Sequence, residues 1–335
     1  MTALSAPAET SIGTEADYYR AQQRIVRAAV DQAQTAWRQL DPRTPSVSWV
    51  EEVRPQVVTA VEQAQQESAA LAPLYLAGTL LAAGAVSAPL ALLAASAFVG
   101  LAANGLVLSA LMDFAFGYYR RARAADVPET DARALGLAKL LTYVATETND
   151  TARLAVHVGS VVEPEIAGYE RVVTLPACGR CILLSGRLYR YSTGFLRHPR
   201  CDCSMRPVTS EQWREGGNSR SPRALFDGMT RAQQDKAFGK GEAAAIRAGA
   251  DIGRVVNARR AGQVYVAGGY EFTREAITSR GIGWQLGGLA KRGGRYRRSQ
   301  VSRPTAAQLV NAAGADQQEL IRQLRRFGYL RDLRQ

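Results

Sequence analysis

Four cysteines and one histidine lie within a short stretch in the middle of the chain. Cys178 and Cys181 form a C-x-x-C pair, and His198, Cys201 and Cys203 follow in the run HPRCDC. A C-x-x-C turn presents two thiolates close together, and a loop that returns two more sulfur or nitrogen ligands would complete a tetrahedral zinc site. The spacing predicts a structural zinc site with five candidates for four positions. The preferred set is Cys178, Cys181 and Cys201 with either His198 or Cys203.

Other states of these cysteines are compatible with the same spacing. The first residues lack the basic segment and apolar core of a secretory signal, and clustered cysteines in a chain with no visible export signal favour a metal over disulfides. Reduced buried thiols, two disulfides, and catalytic zinc or thiol chemistry are the alternatives. Catalysis is disfavoured because Asp202 is the only carboxylate inside the cluster. The second histidine, His157, lies in a predicted helix and is expected to be structural.

The surroundings of the cluster are basic and contain a predicted turn. The run LLSGRLYRY predicts a β-hairpin that turns at Ser185 and Gly186. Positive charge nearby would favour the thiolate form of the cysteines. The arginines expected to supply it are Arg180, Arg187, Arg190, Arg197, Arg200 and Arg206.

Positive charge is concentrated in the last quarter of the chain. The net charge is +12, and the segment from Arg254 to Gln335 holds 16 Lys or Arg against 5 Asp or Glu, a net of +11. Such a balance favours an anionic partner, most simply nucleic acid. Non-specific contact with double-stranded DNA is expected at Lys291, Arg292, Arg295, Arg297, Arg298 and Arg303.

Apolar periodicity and capping residues predict a mainly helical chain. Long helices are expected over about 17–40, 49–70 and 131–158. Two short helices are expected to begin near Thr305 and Asp316, with Gly328 closing the second. The stretch 261–303 is rich in glycine and arginine and is expected to be irregular.

One segment is unusually apolar. No charged residue occurs from Ser68 to Met112, and the 23 residues from Leu90 to Met112 are enough to span a bilayer. Several Gly, Pro and Asn residues interrupt the segment, and much of its apolarity comes from alanine. A buried, alanine-rich helical layer is therefore the favoured interpretation, with membrane contact as the alternative.

At 335 residues the chain is long enough for two or three compact units. The predicted fold is mainly α, with a small α+β cysteine/histidine module, a hairpin plus a knuckle, in the middle. Three regions are expected: a helical region over 1–125 that contains the apolar segment, a central domain over 126–260 with the Cys/His cluster, and a basic tail over 261–335 that ends in two short helices.

The central motif resembles a known family. The run CGRC…SGRLYRY…GFLRHPRCDC is similar to the signature of the MuF-like phage head morphogenesis proteins, and most similar to the form carried by phages of actinobacteria. Phe226–Arg260 and the ending Ile321–Leu330 also resemble that family, while Phe98–Gly105 and the first helix with Trp37 are weaker matches. The resemblance covers most of the chain and is specific from about residue 171 to 260.

The resemblance implies an internal minor protein of a tailed-phage head. Such a protein binds portal and capsid proteins and packaged double-stranded DNA, and acts in head assembly, DNA packaging or ejection. It would be located inside the capsid of the virion, and in the host cytoplasm during assembly. Some relatives carry protease or toxin domains, but this sequence lacks G-x-S-x-G, H-E-x-x-H and P-loop motifs, so no enzyme activity is expected.

Two other functions compete with this interpretation. The last two helices could form a small DNA-binding helix-turn-helix in which Arg322, Arg325, Arg326 and Arg331 face phosphate. The chain could instead be a metal-dependent nuclease or a cysteine protease that acts in capsid maturation. A nuclease needs clustered carboxylates for its metal, and the sequence shows no such cluster.

Overall fold

A computed structural model describes residues 12, 14–195, 198–199, 201, 203–217, 219–291 and 295–330. The chain divides into two compact units. The first comprises Met1–Val172 and Arg187–Ser219, and the second comprises Val173–Gly186 and Arg220–Gln335. Both units are mainly helical and carry small antiparallel sheets, which confirms the predicted fold class.

The first unit consists of a helical core and one three-stranded sheet. Helices and strands are labelled in order along the whole chain, so α6 falls in the second unit. The elements of the first unit are α1 (Glu15–Arg38), α2 (Pro45–Ser48), α3 (Arg54–Ala82), α4 (Leu108–Ala124), α5 (Glu129–Val161), β1 (Ile166–Val172), β2 (Leu188–Tyr189), β3 (Ser204–Thr209) and α7 (Ser210–Arg214). A π-helical turn at Trp49–Val53 joins α2 to α3, and a 3-10 turn lies at Ala95–Phe98.

Aromatic side chains form the centre of the first unit's helical core. Trp37 on α1 packs edge-on against Trp49 with ring centroids 5.8 Å apart, and Trp49 stacks on Phe116 of α4 at 5.0 Å. Helix α1 begins where the Thr14 hydroxyl accepts a hydrogen bond from the backbone N–H of Asp17, as expected for an N-cap. The 131–158 prediction corresponds to α5, which α4 and α1 both contact.

Only the two ends of the apolar segment form the buried helical layer that we expected. Residues 68–82 complete α3, where Ala69, Ala72 and Leu76 are buried, and residues 108–112 begin α4. Helix α3 ends at Ala82, and apart from the turn at Ala95–Phe98 the chain to Val107 has no helix. Leu81, Val86 and Leu92 are 74%, 79% and 93% exposed. Gly84, with φ +74°, breaks the helix, because that backbone conformation favours a residue without a Cβ. No helix within the described residues is long and apolar enough to cross a membrane.

The sheet of the first unit corrects the predicted hairpin. Its strand order is β2-β1-β3, and both neighbours run antiparallel to the central strand β1. Tyr189 of β2 pairs with Tyr169 of β1, whereas Leu183, predicted as the other arm of the hairpin, ends a short helix. Ser185 and Gly186 therefore connect a helix to a strand. The local run of apolar residues could not reveal that β2 pairs with a strand earlier in the chain.

The second unit is built from short helices and small sheets. Its elements are α6 (Gly179–Leu183), α8 (Pro222–Asp227), α9 (Arg231–Phe238), α10 (Lys240–Arg247), α11 (Ile252–Ala258), β4 (Val264–Ala267), β5 (Tyr270–Thr273), α12 (Gly283–Leu286), β6 (Leu289–Ala290), β7 (Arg298–Ser299), β8 (Arg303–Pro304), α13 (Ala306–Ala313) and α14 (Gln317–Arg326). The two last helices begin after the caps Thr305 and Asp316, as predicted.

The three predicted regions do not coincide with these two units. The boundary at 125/126 falls between α4 and α5, which pack extensively against each other. The basic tail is also not a separate region, because Leu309 of α13 and Leu324 of α14 share a core with Ile246 and Val255. Within the stretch expected to be irregular, β4 and β5 form a hairpin through Gly268 and Gly269.

Candidate metal centre and basic surface

The C-x-x-C pair lies at the start of α6 in the second unit. Cys178 is the N-cap residue, and its Sγ accepts a hydrogen bond from the backbone N–H of Cys181 at 3.5 Å. Gly179 between them is required by packing, since a Cβ there would lie 2.7 Å from the Phe238 ring. The turn presents one partly exposed and one buried thiol.

His198, Cys201 and Cys203 lie just before strand β3 in the first unit. The backbone N–H of Cys201 donates to the carbonyl of His198 at 3.0 Å, which closes a turn. The Nδ1 of His198 is 2.8 Å from the Pro199 carbonyl, which can only accept a hydrogen bond. In the tautomer in which Nδ1 donates to that carbonyl, Nε2 is the ring nitrogen through which the imidazole can bind a metal.

A buried arginine that the sequence analysis did not predict holds the segment with Cys201 and Cys203. Arg153 of α5 donates through Nε to the carbonyl of Cys203 at 2.8 Å and through a terminal nitrogen to the carbonyl of Cys201. Its other terminal nitrogen lies 2.5 Å from the Asp150 carboxylate. A charged run in the middle of an otherwise apolar helix, TETNDTAR, was the available sequence signal.

The five candidate ligands form two overlapping groups. One consists of Cys178, Cys181 and His198, the other of Cys181, Cys201 and Cys203, and within each group the ligand atoms lie within 4.8 Å of one another. Two sulfurs bound to one tetrahedral zinc lie about 3.8 Å apart, given a zinc–sulfur bond of about 2.3 Å. The cluster could therefore hold a metal ion. Cys181 is the member that both groups share.

The preferred set of ligands is not reproduced as one group. Cys178 and Cys201 fall in different groups, so the spacing predicted the participants but not how they combine. Within the described residues, no disulfide joins any two of the four cysteines. Asp202, and the neighbouring Arg197 and Arg200, lie outside the described residues.

The described arginines of the motif have partners of their own. Arg187 lies over the Tyr189 ring at 5.3 Å, and Arg190 lies over the Trp213 ring at 4.8 Å. Arg180 donates to the side-chain oxygen of Asn257, and Arg206 forms an ion pair with Glu170. These contacts stabilise the sheet and the C-x-x-C helix.

The basic residues expected to contact DNA fall into two classes. Lys291, Arg295, Arg297 and Arg298 are exposed and can reach phosphate, while Arg292 lies outside the described residues. Arg303 is different: its side chain is 1% exposed and forms an ion pair with Glu275 at 2.7 Å.

Two further hydrogen bonds fix Arg303 in the interior. It donates to the carbonyl oxygens of Phe327 and Glu275, each at 3.0 Å, and it lies over the Tyr329 ring. Arg303 was expected among the DNA contacts because its charge gave no sign of burial. Its guanidinium forms contacts inside the second unit, so Arg303 is not one of the exposed residues that can contact DNA.

The structure also describes most arginines of the last two helices and the second histidine. Arg322 forms an ion pair with Glu319, Arg325 and Arg326 are exposed, and Arg331 lies outside the described residues. His157 lies on α5 beside Tyr169, with ring centroids 5.9 Å apart, and belongs to neither ligand group. Partial burial lowers the pKa of His157.

Comparison with known proteins identifies no relative of this chain. No family model, no curated protein and no solved structure matches this chain.

Proposed function

We propose that this chain is an internal minor protein of a tailed-phage head, bound near the portal and in contact with packaged DNA. The observation that carries the proposal is the Cys/His cluster. Residues of the motif that resembles the MuF-like family, separated by up to 25 positions in the sequence, form two overlapping groups of three, each of which could hold a metal ion. The exposed basic residues near 291–298 supply a surface for phosphate.

The metal is proposed to be zinc, bound for structural reasons. Four cysteine thiols and one imidazole are the ligand types that zinc prefers. In small zinc modules the binding energy of the metal contributes directly to folding. The protein is proposed to have no catalytic activity, since sulfur and nitrogen ligands in this number would close the coordination sphere.

The metal proposal has a matched test, because the chain contains only two histidines. Elemental analysis of protein purified under reducing conditions should give about one zinc per chain. Cys181→Ser should remove it, since Cys181 belongs to both ligand groups. His198→Asn should weaken zinc binding, whereas His157→Asn should leave it unchanged. Full-length protein that folds without metal and whose four thiols all react would contradict the proposal.

The functional proposal is tested by complementation in cells that carry the gene and produce particles. Loss of the chain should reduce the yield of infectious particles, and Cys178→Ser with Cys181→Ser should fail to restore it. His157→Asn serves as the matched control and should restore it. A normal yield without the chain would contradict a role in the head. Turnover of DNA or of a capsid protein by the purified chain would favour the nuclease or protease alternative instead.

A further inference from the structure

A cleft in the second unit has features that the proposed function does not use. We propose that this cleft binds an unpaired stretch of nucleic acid, with a base stacked on Trp284 and phosphates held by Arg280 and Arg325. The inference is independent of whether the chain is part of a phage head. It concerns single strands, whereas the proposed function requires only duplex DNA.

The cleft is large and cationic. Its volume is about 870 Å³, and four arginines and two acidic residues line it. A volume of this size lies within the range of pockets that bind small ligands, about 300–1,000 Å³, and would hold one or two nucleotides of a strand. The excess of arginine predicts an anionic occupant.

The four arginines of the cleft have two different roles. Arg254 donates to the carbonyl oxygens of Gly328 and Leu330, at 2.8 and 3.0 Å, and Arg303 is paired with Glu275. These two side chains therefore build the wall of the cleft.

Arg280 and Arg325 are exposed, and no carboxylate of the described residues lies within ion-pair distance of either. Arg280 is held over the Tyr296 ring at 4.8 Å, which restricts its position. Two exposed guanidinium groups at one cleft are suited to bind phosphate oxygens.

The aromatic residue of the cleft is unusually accessible. Trp284 is 67% exposed, whereas Trp37 and Trp49 are 2% and 1% exposed. An indole left in water forgoes the stabilisation that burial of its large apolar surface would give. Exposed aromatic rings beside cationic side chains are the platforms on which proteins stack the bases of single strands.

The loop that presents Arg280 and Trp284 is preorganised. Ala276 has φ +58°, a conformation that disfavours residues with a Cβ. Backbone hydrogen bonds close the loop: Ile282 N–H donates to Ala276 O at 2.9 Å, and Gly283 N–H donates to Thr278 O at 3.1 Å. Such strain is retained where the surrounding structure fixes it, commonly at binding sites.

Two glycines make this loop geometry possible. A Cβ at Gly281 would lie 2.1 Å from the Ala276 oxygen, and one at Gly283 would lie 2.1 Å from the Ile277 oxygen. The loop is therefore fixed before any ligand arrives, so binding would cost little ordering entropy.

The combination favours an unpaired strand over other anions. In a duplex the faces of the bases are stacked on one another, so Trp284 could stack on a base only if that base were first separated from its neighbours. An acidic peptide would use the arginines but gain nothing specific from the indole. A mononucleotide would use one stacking contact but offers one phosphate to the two arginines, whereas a strand offers successive phosphates.

The test measures binding of a fluorescent thymidine oligonucleotide to the full chain by anisotropy. Trp284→Ala should weaken binding about tenfold, since stacking one base is worth about that factor, and Trp284→Phe should restore most of it. Arg280→Gln with Arg325→Gln should lower the salt dependence as well as the affinity. Tyr270→Ala is the matched control, because Tyr270 is 58% exposed in the same unit but does not line the cleft.

Several outcomes would overturn the proposal. The first is a Trp284→Ala variant that binds the oligonucleotide as tightly as wild type and has an unaltered melting curve, and the second is an equal loss of duplex binding in that variant. The third is polyglutamate that competes as strongly as the oligonucleotide, and the fourth is a mononucleotide that binds as tightly as the strand. None of these outcomes decides whether Arg295, Arg297 and Arg298 bind duplex DNA, or whether the chain lies inside a phage head. Those two proposals have tests of their own.

Discussion

Among individual residues, one buried arginine holds the segment that carries Cys201 and Cys203. The Arg153 side chain is 8% exposed and its partner Asp150 is 4% exposed. The guanidinium holds the carbonyl oxygens of both cysteines and lies beside a carboxylate, so it joins the backbone of the candidate metal segment to helix α5. Replacing such a group removes hydrogen bonds and leaves a buried carboxylate without its arginine.

We predict that Arg153→Met destabilises the protein by about 3–5 kcal/mol, the usual cost of breaking a buried ion pair from one side. Urea denaturation measures the free energy of unfolding, and elemental analysis measures metal content, which should fall as well. Arg153→Met combined with Asp150→Asn should recover part of the stability, since the carboxylate is then absent. An unchanged unfolding midpoint in the single variant would contradict the positioning role of Arg153.

Two acidic residues of α1 should respond to pH in opposite directions. Burial raises the pKa of Glu15 above its ordinary value of 4.5, although the Ser204 hydroxyl donates to it at 3.0 Å. Hydrogen bonds from Thr14 and Arg20 lower the pKa of Asp17 below its ordinary value of 3.8. Ionisation of Glu15 therefore opposes folding as pH rises through its folded pKa, whereas ionised Asp17 favours folding and loses that effect as pH falls.

The prediction is that Glu15→Gln raises the melting temperature at pH 7, while Asp17→Asn lowers it. The Glu15→Gln difference should shrink as the pH falls below about 4.5, the ordinary pKa of that carboxyl, because Glu15 is then protonated in both states. The Asp17→Asn difference should shrink only as the pH falls through the lowered pKa of Asp17 in the folded protein, because that carboxyl stays ionised there below its ordinary value of 3.8. Melting curves at a series of pH values measure this. A Glu15→Gln variant that is less stable than wild type at pH 7 would show that the ionised carboxylate is favoured.

The sequence indicated the members of the Cys/His cluster that could hold a metal ion, because C-x-x-C and H-P-x-C-x-C are local patterns. No local pattern specifies the grouping of Cys181 with Cys201 and Cys203, which are 20 and 22 positions away in the sequence. Arg153 and Arg303 were not predicted for a related reason. The sequence shows their charge, but their burial depends on partners 48 and 28 positions away.

Among the secondary-structure elements, the close approach of helices α1, α4 and α5 depends on Gly136. A Cβ at this position would lie 2.8 Å from the Trp37 ring and 2.9 Å from the Tyr119 Cβ. Trp37 in turn packs on Trp49 and Tyr119, so the indole has little room to move. The glycine thus sets the distance between three helices.

We predict that Gly136→Ala destabilises the first unit by about 1–3 kcal/mol through overpacking. Gly117→Ala on α4 is the matched control, since its new Cβ would meet only the end of the Arg121 side chain at 3.2 Å. That variant should gain up to about 1 kcal/mol from better helix propensity. Circular dichroism during denaturation measures both. Similar effects of the two substitutions would show that Gly136 is not at a tight contact.

Helices with strong caps were predictable, and elements defined by distant pairing were not. Thr305 and Asp316 cap the last two helices because their side-chain oxygens accept backbone N–H groups within the same turn. The β4–β5 hairpin has a local signal in Gly268-Gly269, although the glycine-rich composition around it led us to expect irregular structure. For the apolar segment, composition favoured burial, but Gly84 ends the helix and the structure leaves leucines exposed.

Across the whole molecule, the positive charge lies on a folded unit and not on a separate tail. Leu309, Leu324 and Tyr329 are buried in the core of the second unit, so removing the end of the chain would also remove part of that core. DNA binding is therefore best tested by substitution of exposed arginines.

Arg295→Gln, Arg297→Gln and Arg298→Gln together should weaken binding to duplex DNA of any sequence. Each lost phosphate contact should reduce the slope of log K against log salt by about 0.9. Arg24→Gln, Arg27→Gln and Arg38→Gln form the matched control, since they remove the same charge from exposed positions of α1. Equal loss in both triple variants would mean that net charge, and not this surface, governs binding.

The proposed location of the chain inside a phage head is tested most directly by its presence in particles. Particles purified from cells that carry the gene, with and without DNA, should be analysed by quantitative mass spectrometry after external protease treatment. We expect a few copies per head, protected from the protease until the capsid is opened. Absence of the chain from DNA-filled and empty particles alike would contradict the proposed role.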